Sequence, residues 1–397
     1  MQPAARYAAA IDILDEILAG TPAEKALTGW ARSHRFAGSK DRAALRDHVF
    51  DALRMQRSCA TLGGAETGRG IIIGLCVRQG LDLESIFSGE GHAPAQLTDA
   101  ERAYLPDDPA SALAAMPAPI RLDVEDWIYD SLAQQFGAKT KDYLATQTQR
   151  APVFLRVNTL KATPEKAQAA LAKDGITTAQ VSHIKTALEV IENERRIRNS
   201  EAFQSGLVEL QDLSSQLSVS QLDLPKGARI LDYCAGGGGK TLALAAHPAQ
   251  PSALFAHDAA AGRMQDLPAR AKRAGARVQL LQTDQIAAKG PFDLVFVDAP
   301  CSGSGTWRRN PGAKWRLTPD DLDRYVSLQA EILSQAAHYV TPGGSLCYAT
   351  CALFDAENEA QITAFLARHP EWTLRHQWGA DLSDRGDGFF CALMQRI

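Results

Sequence analysis

Apolar positions in the first sixty residues recur at helical spacing. Ile11, Leu14, Ile17 and Leu18 fall on one face, and steps of three and four predict an amphipathic helix. Gly20-Thr21-Pro22 breaks that pattern before another helix begins. A third helix is predicted from Ser39, a residue type that caps helix starts, through Arg57, carrying Leu45, Val49 and Leu53. The stretch from Gly89 to Pro119 is rich in Ala, Pro, Gly and acids without a sustained period, and reads as loop or short helix. Helical spacing resumes over Asp126 to Phe136, and Val153 to Thr159 reads as a strand opening a small mixed segment that runs to about Leu224.

From Ala228 onward the pattern becomes regular. Short apolar runs at Arg229-Ile230-Leu231, Ala253-Leu254-Phe255-Ala256, Val278-Gln279-Leu280-Leu281, Leu294-Val295-Phe296-Val297 and Ser345-Leu346-Cys347-Tyr348 alternate with helix-like stretches. Runs that are apolar on both faces suit strands covered by helices on both sides, so the expectation is an α/β fold with a doubly wound parallel sheet. Gly388 to Met394 is expected to add a last, antiparallel edge strand. These changes of pattern divide the 397 residues into an all-helical part at 1–140, a small α/β part at 141–225 and a Rossmann-like part at 226–397.

Composition narrows the function classes. No apolar run reaches the length of a membrane span, and the start lacks the layout of a secretory signal, so the expected place is the cytoplasm and no membrane partner is expected. Seven cysteines spread over a long chain make no disulfide framework, and no Cys/His cluster completes a metal site. The net charge of −4 is uneven: Leu81 to Asp130 holds eleven acids against two arginines, which leaves +5 for the rest. Basic clusters at Arg195, Arg196 and Arg198, and at Arg308, Arg309, Lys314 and Arg316, offer the local patches that a phosphate backbone requires.

Candidate chemistry gathers at predicted strand ends, which in an open parallel sheet line the ligand crevice. After the first strand comes Asp232-Tyr233-Cys234-Ala235-Gly236-Gly237-Gly238-Gly239-Lys240-Thr241, a glycine loop whose backbone can turn sharply and approach a ligand. A Walker phosphate loop would need glycine where Cys234 stands. A nicotinamide site would leave the cysteines described next without a role. Asp258, nineteen residues past Gly239, is placed to accept ribose hydroxyls, and Asp284, read as ending the third strand, to hold an adenine amino group. With Asp298 they fit an adenosine lacking a pyrophosphate, such as that of S-adenosylmethionine. Two cysteines, Cys301 in Asp298-Ala299-Pro300-Cys301-Ser302-Gly303 and Cys351 in Tyr348-Ala349-Thr350-Cys351, follow the fourth and fifth strands. Both thiols are expected to open into one site, where a thiol pair suits covalent chemistry on a carbon centre.

These motifs together resemble the RNA cytosine-5 methyltransferases of the Sun/Fmu (RsmB-like) family. The likeness runs from about Phe154 to the C-terminus. It includes Arg156-Val157-Asn158-Thr159, Gln211-Asp212-Leu213-Ser214-Ser215-Gln216, the glycine loop, Asp298 to Gly305, Arg308-Arg309-Asn310-Pro311, and Thr350-Cys351 followed by Glu357-Asn358-Glu359. The face Asp41 to Asp47 resembles the NusB-like helical RNA-binding domain. What the resemblance implies is a class I methyltransferase domain behind a NusB-like domain, acting on RNA, with small-subunit ribosomal RNA the expected substrate; no residue speaks to the oligomeric state, and a monomer is the default expectation. It implies that Cys234, Ala235, Gly236, Gly237, Gly238, Gly239, Lys240, Asp258, Asp284 and Asp298 contact or border S-adenosylmethionine. Cys351 would be the nucleophile, Cys301 would help release the product, and Asp298 would hold the base edge. Gly236-Gly237 stands where the family usually has Ala-Pro.

Arg308, Arg309 and Lys314 are then expected to grip phosphates flanking the target, with Trp307 and Trp315 either stacking on bases or packing beneath the loop. Two other readings stay open. A DNA cytosine-5 methyltransferase also uses Pro-Cys after the fourth strand but needs no Cys351. A NusB-like RNA-binding protein without turnover would need neither cysteine.

Overall fold

The computed structural model describes residues 1–383 and 385–397. They form two compact units, the first made of Met1–Arg150 with Trp307–Arg316, the second of Ala151–Thr306 with Leu317–Ile397. Among the described residues no helix is long and apolar enough to cross a membrane.

The first unit is helical. Helices Pro3–Leu18, Ala23–Ser33, Ser39–Arg54, Gln56–Gly63 and Gly68–Arg78 enclose a core that includes Ile13, Leu14, Leu45, Val49, Leu53, Ile72 and Leu75. The buried stripe of the first helix runs through Ala9, Ala10, Ile13 and Leu14, while Leu18 is exposed, so the stripe is rotated from the one its larger side chains suggest. Ser39 lies inside its helix; Gly38 is the capping position, and its N–H donates to the Asp41 carboxylate at 3.3 Å. That helix stops at Arg54, and Arg57 belongs to the next one. The pair Gln56–Gly63 and Gly68–Arg78 packs closely because a Cβ at Gly74 would lie 1.9 Å from the Cys59 carbonyl oxygen. Short helices Asp99–Tyr104, Pro109–Ala115 and Ala118–Arg121 fill the aperiodic stretch, and Asp126–Phe136 is helical.

The second unit holds two sheets. The smaller joins β1 (Val153–Val157), β2 (Thr177–Val181), β3 (Ile184–Glu192) and β4 (Val208–Leu210) in the order β2-β3-β1-β4. All its pairs are antiparallel. Helix Pro164–Lys173 buries Ala167 and Leu171 against Leu155, Val157 and Leu188.

The larger sheet contains β5 (Arg229–Asp232), β6 (Ala253–Ala256), β7 (Gln279–Leu280), β8 (Phe292–Asp298), β9 (Val340–Thr350), β10 (Trp372–Ala380) and β11 (Phe389–Arg396), in the order β10-β11-β9-β8-β5-β6-β7. The five strands from β9 to β7 are parallel, and β11 runs antiparallel to both β9 and β10. The last strand is therefore inside the sheet, and the edge expected of it belongs to β10. Strand order reverses between β5 and β8, which opens a crevice beyond their carboxyl ends. Both faces are covered: Leu231, Phe255, Val295, Val297, Leu346 and Tyr348 join one apolar cluster, and Ile230, Leu254, Leu294, Phe296 and Cys347 the other. Helix Pro319–Ala337 begins at Thr318, whose hydroxyl accepts from Asp321 N–H while the Asp321 carboxylate accepts from Thr318 N–H.

Candidate active site

The glycine loop leaves β5 at Asp232 and enters helix Gly239–Ala245. Two of its turns are left-handed, at Gly236 (φ +49°) and Gly238 (φ +82°), a region that side chains rarely adopt. Gly238 has a second constraint, since a Cβ there would lie 2.2 Å from Leu267 Cδ1. Asp258, just past β6, fastens the loop: one carboxylate oxygen accepts Gly236 N–H at 3.0 Å, the other Ala260 N–H at 2.9 Å, and Arg263 lies 3.3 Å away. The oxygen that accepts Ala260 N–H keeps a further lone pair for a ribose hydroxyl.

Asp232 was not singled out in the sequence, yet it is the most enclosed acid of the site. It is fully buried; one oxygen accepts the Thr241 hydroxyl at 2.6 Å and the other has no partner. Burial pushes its carboxyl up to about 7, with Asp298 and Asp258 adding to that and the Thr241 bond and Lys240 opposing it. Lys240 Nζ donates to Asp298 at 2.7 Å. Burial works against the ammonium, but Asp298 outweighs it and holds the Lys240 pKa above its ordinary value. Acceptors around a turned glycine loop, one of them buried without a donor, suit a ligand with ribose hydroxyls and a positive charge. The residues therefore fit S-adenosylmethionine.

Cys301 lies three residues beyond the end of β8, and Cys351 directly follows β9. Their sulfurs are 3.5 Å apart. The two loops are stitched by Gly305 N–H to the Cys351 carbonyl at 2.8 Å and Leu353 N–H to Ser304 Oγ at 2.7 Å. The pair is electrostatically unequal. The Cys351 thiol is held below its usual range, first by the hydrogen bond from Cys301 and further by Lys240 and Thr306, against burial and Asp298. The Cys301 thiol is pushed well up by that same bond, by burial and by Glu357. The contact between them therefore favours the proton on Cys301 and makes Cys351 the more acidic of the two. Cys234, in the loop, is pushed up by burial and stays a thiol.

Other expected site residues are placed differently. Asp284 does not end a strand, because β7 stops at Leu280; it lies exposed in the first turn of helix Thr283–Lys289. Trp307, Arg308 and Lys314 belong to the first unit and are buried there. Arg54 Nε donates to the Arg308 carbonyl at 2.8 Å, Lys314 Nζ to the Arg54 carbonyl at 3.3 Å, and Trp315 Nε1 to the Leu53 carbonyl at 2.6 Å. Burial pulls the Lys314 ammonium down to about 8. Buried in this way, Trp307 cannot stack on a base, nor can Arg308 and Lys314 grip phosphates; Arg309 and Arg316 are exposed.

Residues 219–394 match the family described as 16S rRNA methyltransferase RsmB/F, and residues 124–197 match a ferredoxin-like domain of RsmF/B-like methyltransferases. A ribosomal RNA small subunit methyltransferase B from Klebsiella pneumoniae is 33% identical over 282 residues, covering 67% of this chain and 64% of the relative. A protein of the same name from Vibrio cholerae is 31% identical over 68% of this chain and 64% of its own. The chain thus spans less than two thirds of the length of these relatives. Among solved structures, PH0851 covers 100% of this chain and 99% of its own at 25% identity and a TM-score of 0.76. A methyltransferase homolog protein from Pyrococcus horikoshii covers 70% of this chain and 98% of its own at 25% identity and a TM-score of 0.61. With both family segments matched in order, and the glycine loop and paired strand-end cysteines falling inside the larger of them, the chain belongs to the RsmB/F methyltransferase family.

Proposed function

We propose that this chain methylates carbon 5 of a cytosine in small-subunit ribosomal RNA through a transient covalent bond between Cys351 and carbon 6 of the base. The observation that carries the reading is the pair of strand-end thiols with sulfurs 3.5 Å apart, beside the glycine loop's Lys240–Asp298 pair. Carbon 5 of cytosine is a poor nucleophile in an electron-deficient ring. Addition of the Cys351 thiolate at carbon 6 forms an S–C bond and moves the ring electrons onto carbon 5. S-adenosylmethionine, bound by the glycine loop, Asp258 and Asp232, supplies the electrophilic methyl group that carbon 5 takes.

Asp298, fixed by Lys240, accepts a hydrogen bond from the base edge and orients the ring over Cys351. Once the Cys351 charge is consumed in the S–C bond, the first cause of the raised Cys301 pKa is gone, and that thiol can lose its proton to solvent. Cys301, or a water it positions, then removes the carbon-5 proton. The double bond re-forms and the Cys351 thiolate is expelled. Carbon 6 is hidden inside a duplex, so the target cytosine must be unpaired or flipped out.

The test is transfer of tritium from labelled S-adenosylmethionine into RNA from cells lacking this protein, followed by digestion to nucleosides. Label in 5-methylcytidine is expected. Its absence with unmodified small-subunit RNA and assembly intermediates contradicts the reading, and label in DNA redirects it.

A further inference from the structure

Glu357 and Asn358 are adjacent in sequence, and each holds one of the two cysteine loops. Glu357, at 0% exposure, accepts Ser302 N–H at 2.8 Å, the Ser302 hydroxyl, and Gln329 Nε2 at 3.0 Å. Gln329 also donates to the Pro300 carbonyl at 2.9 Å, so both neighbours of Cys301 are gripped. Asn358 accepts the Thr350 hydroxyl through Oδ1 at 2.5 Å and donates to the Ala352 carbonyl at 3.1 Å, which grips both neighbours of Cys351. The Tyr348 hydroxyl ties the Glu357 carbonyl to β9 at 2.7 Å.

Three donors converge on Glu357, and a carboxylate is the side chain that offers only acceptors. Its negative charge lies one peptide from Cys301. Lys240 and Asp298 both act on Cys351, Asp298 raising its pKa more strongly than Lys240 lowers it. A negative charge beside Cys301 favours the proton on that sulfur.

We propose that Glu357, with Asn358, is the positioning residue of the thiol pair, holding the loops so that Cys301 keeps the proton and presents it to Cys351. This rests on Cys351 being the nucleophile. It gives a role to the Glu357-Asn358 motif, which neither cofactor nor base recognition uses.

The experiment is alkylation of the full-length chain by iodoacetamide from about pH 6 to about pH 9, with the label on each cysteine quantified by peptide mass spectrometry. Wild type is expected to label Cys351 about tenfold faster than Cys301 near neutral pH. Glu357→Gln keeps the size but removes the charge and replaces one acceptor oxygen with a donor. It is expected to bring the two rates close together and to lower kcat with KM for RNA unchanged. Ser302→Ala, which retains the peptide N–H bond, is expected to fall between.

A wild-type labelling ratio in folded Glu357→Gln overturns the proposal, whether or not kcat falls. If that variant does not fold, an unchanged ratio in Ser302→Ala overturns it. Faster labelling of Cys301 than Cys351 in wild type refutes the nucleophile assignment instead, which keeps the two failures apart.

Discussion

Lys240→Met tests the electrostatics of the site most sharply. Methionine keeps the aliphatic stem of Lys240 and removes the ammonium that lies 2.7 Å from Asp298. In wild type, Lys240 lowers the Cys351 pKa while Asp298 raises it; in the variant, Asp298 acts unopposed. Loss of the ammonium therefore raises the Cys351 pKa.

A higher pKa leaves a smaller thiolate fraction at any pH below it, and a tenfold smaller fraction corresponds to about 1.4 kcal/mol. The variant is therefore expected to methylate about tenfold more slowly near neutrality and to recover as pH rises, its pH–rate curve displaced to the alkaline side. Single-turnover methyl transfer at saturating cofactor isolates this from any loss of binding, and the pH dependence of Cys351 alkylation reads the thiol directly. An unchanged alkylation midpoint would refute the account of Cys351 activation.

Cys351→Ala should abolish methyl transfer while leaving the dissociation constant for S-adenosylmethionine within about twofold, measured by calorimetry, because the loop and Asp258 are untouched. Cys301→Ala should accumulate a protein–RNA adduct seen as a slow band on a denaturing gel; free release of methylated RNA would remove Cys301 from the elimination step. Asp258→Ala frees Gly236 N–H and should weaken cofactor binding by tenfold or more, about 1.4 kcal/mol. Asp232 has a folded pKa of about 7, above its unfolded value, so it favours the fold below about pH 4 and loses that contribution as pH rises to about 7. Asp232→Asn should accordingly gain thermal stability relative to wild type at about pH 8 and not at about pH 4, by at most about 4 kcal/mol.

The parallel strands were legible because each is a short apolar run covered on both faces. β10 was not: along Trp372–Ala380 only the first residue is buried, and Arg375, His376 and Gln377 are exposed, so the strand carries no apolar run. Asp284 was misplaced because β7 has two paired residues and ends earlier than its apolar run. The basic cluster after Cys301 shows a different limit. Arg308 and Lys314 read as phosphate contacts because sequence displays charge but not burial, and their burial rests on contacts with Leu53, Arg54 and Gln147, distant in the chain. Asp232 and Glu357 stood inside motifs already visible, and what the sequence does not display is their complete burial.

The most direct test of covalent catalysis replaces the target cytosine in a small-subunit RNA fragment with 5-fluorocytosine, whose carbon 5 has no proton to lose. After incubation with S-adenosylmethionine the protein is digested and the modified peptide sequenced by mass spectrometry. A methylated nucleotide attached to Cys351 is the predicted result. Attachment to Cys301, or methylation of unsubstituted RNA without any trapped adduct on the fluorinated fragment, would contradict it.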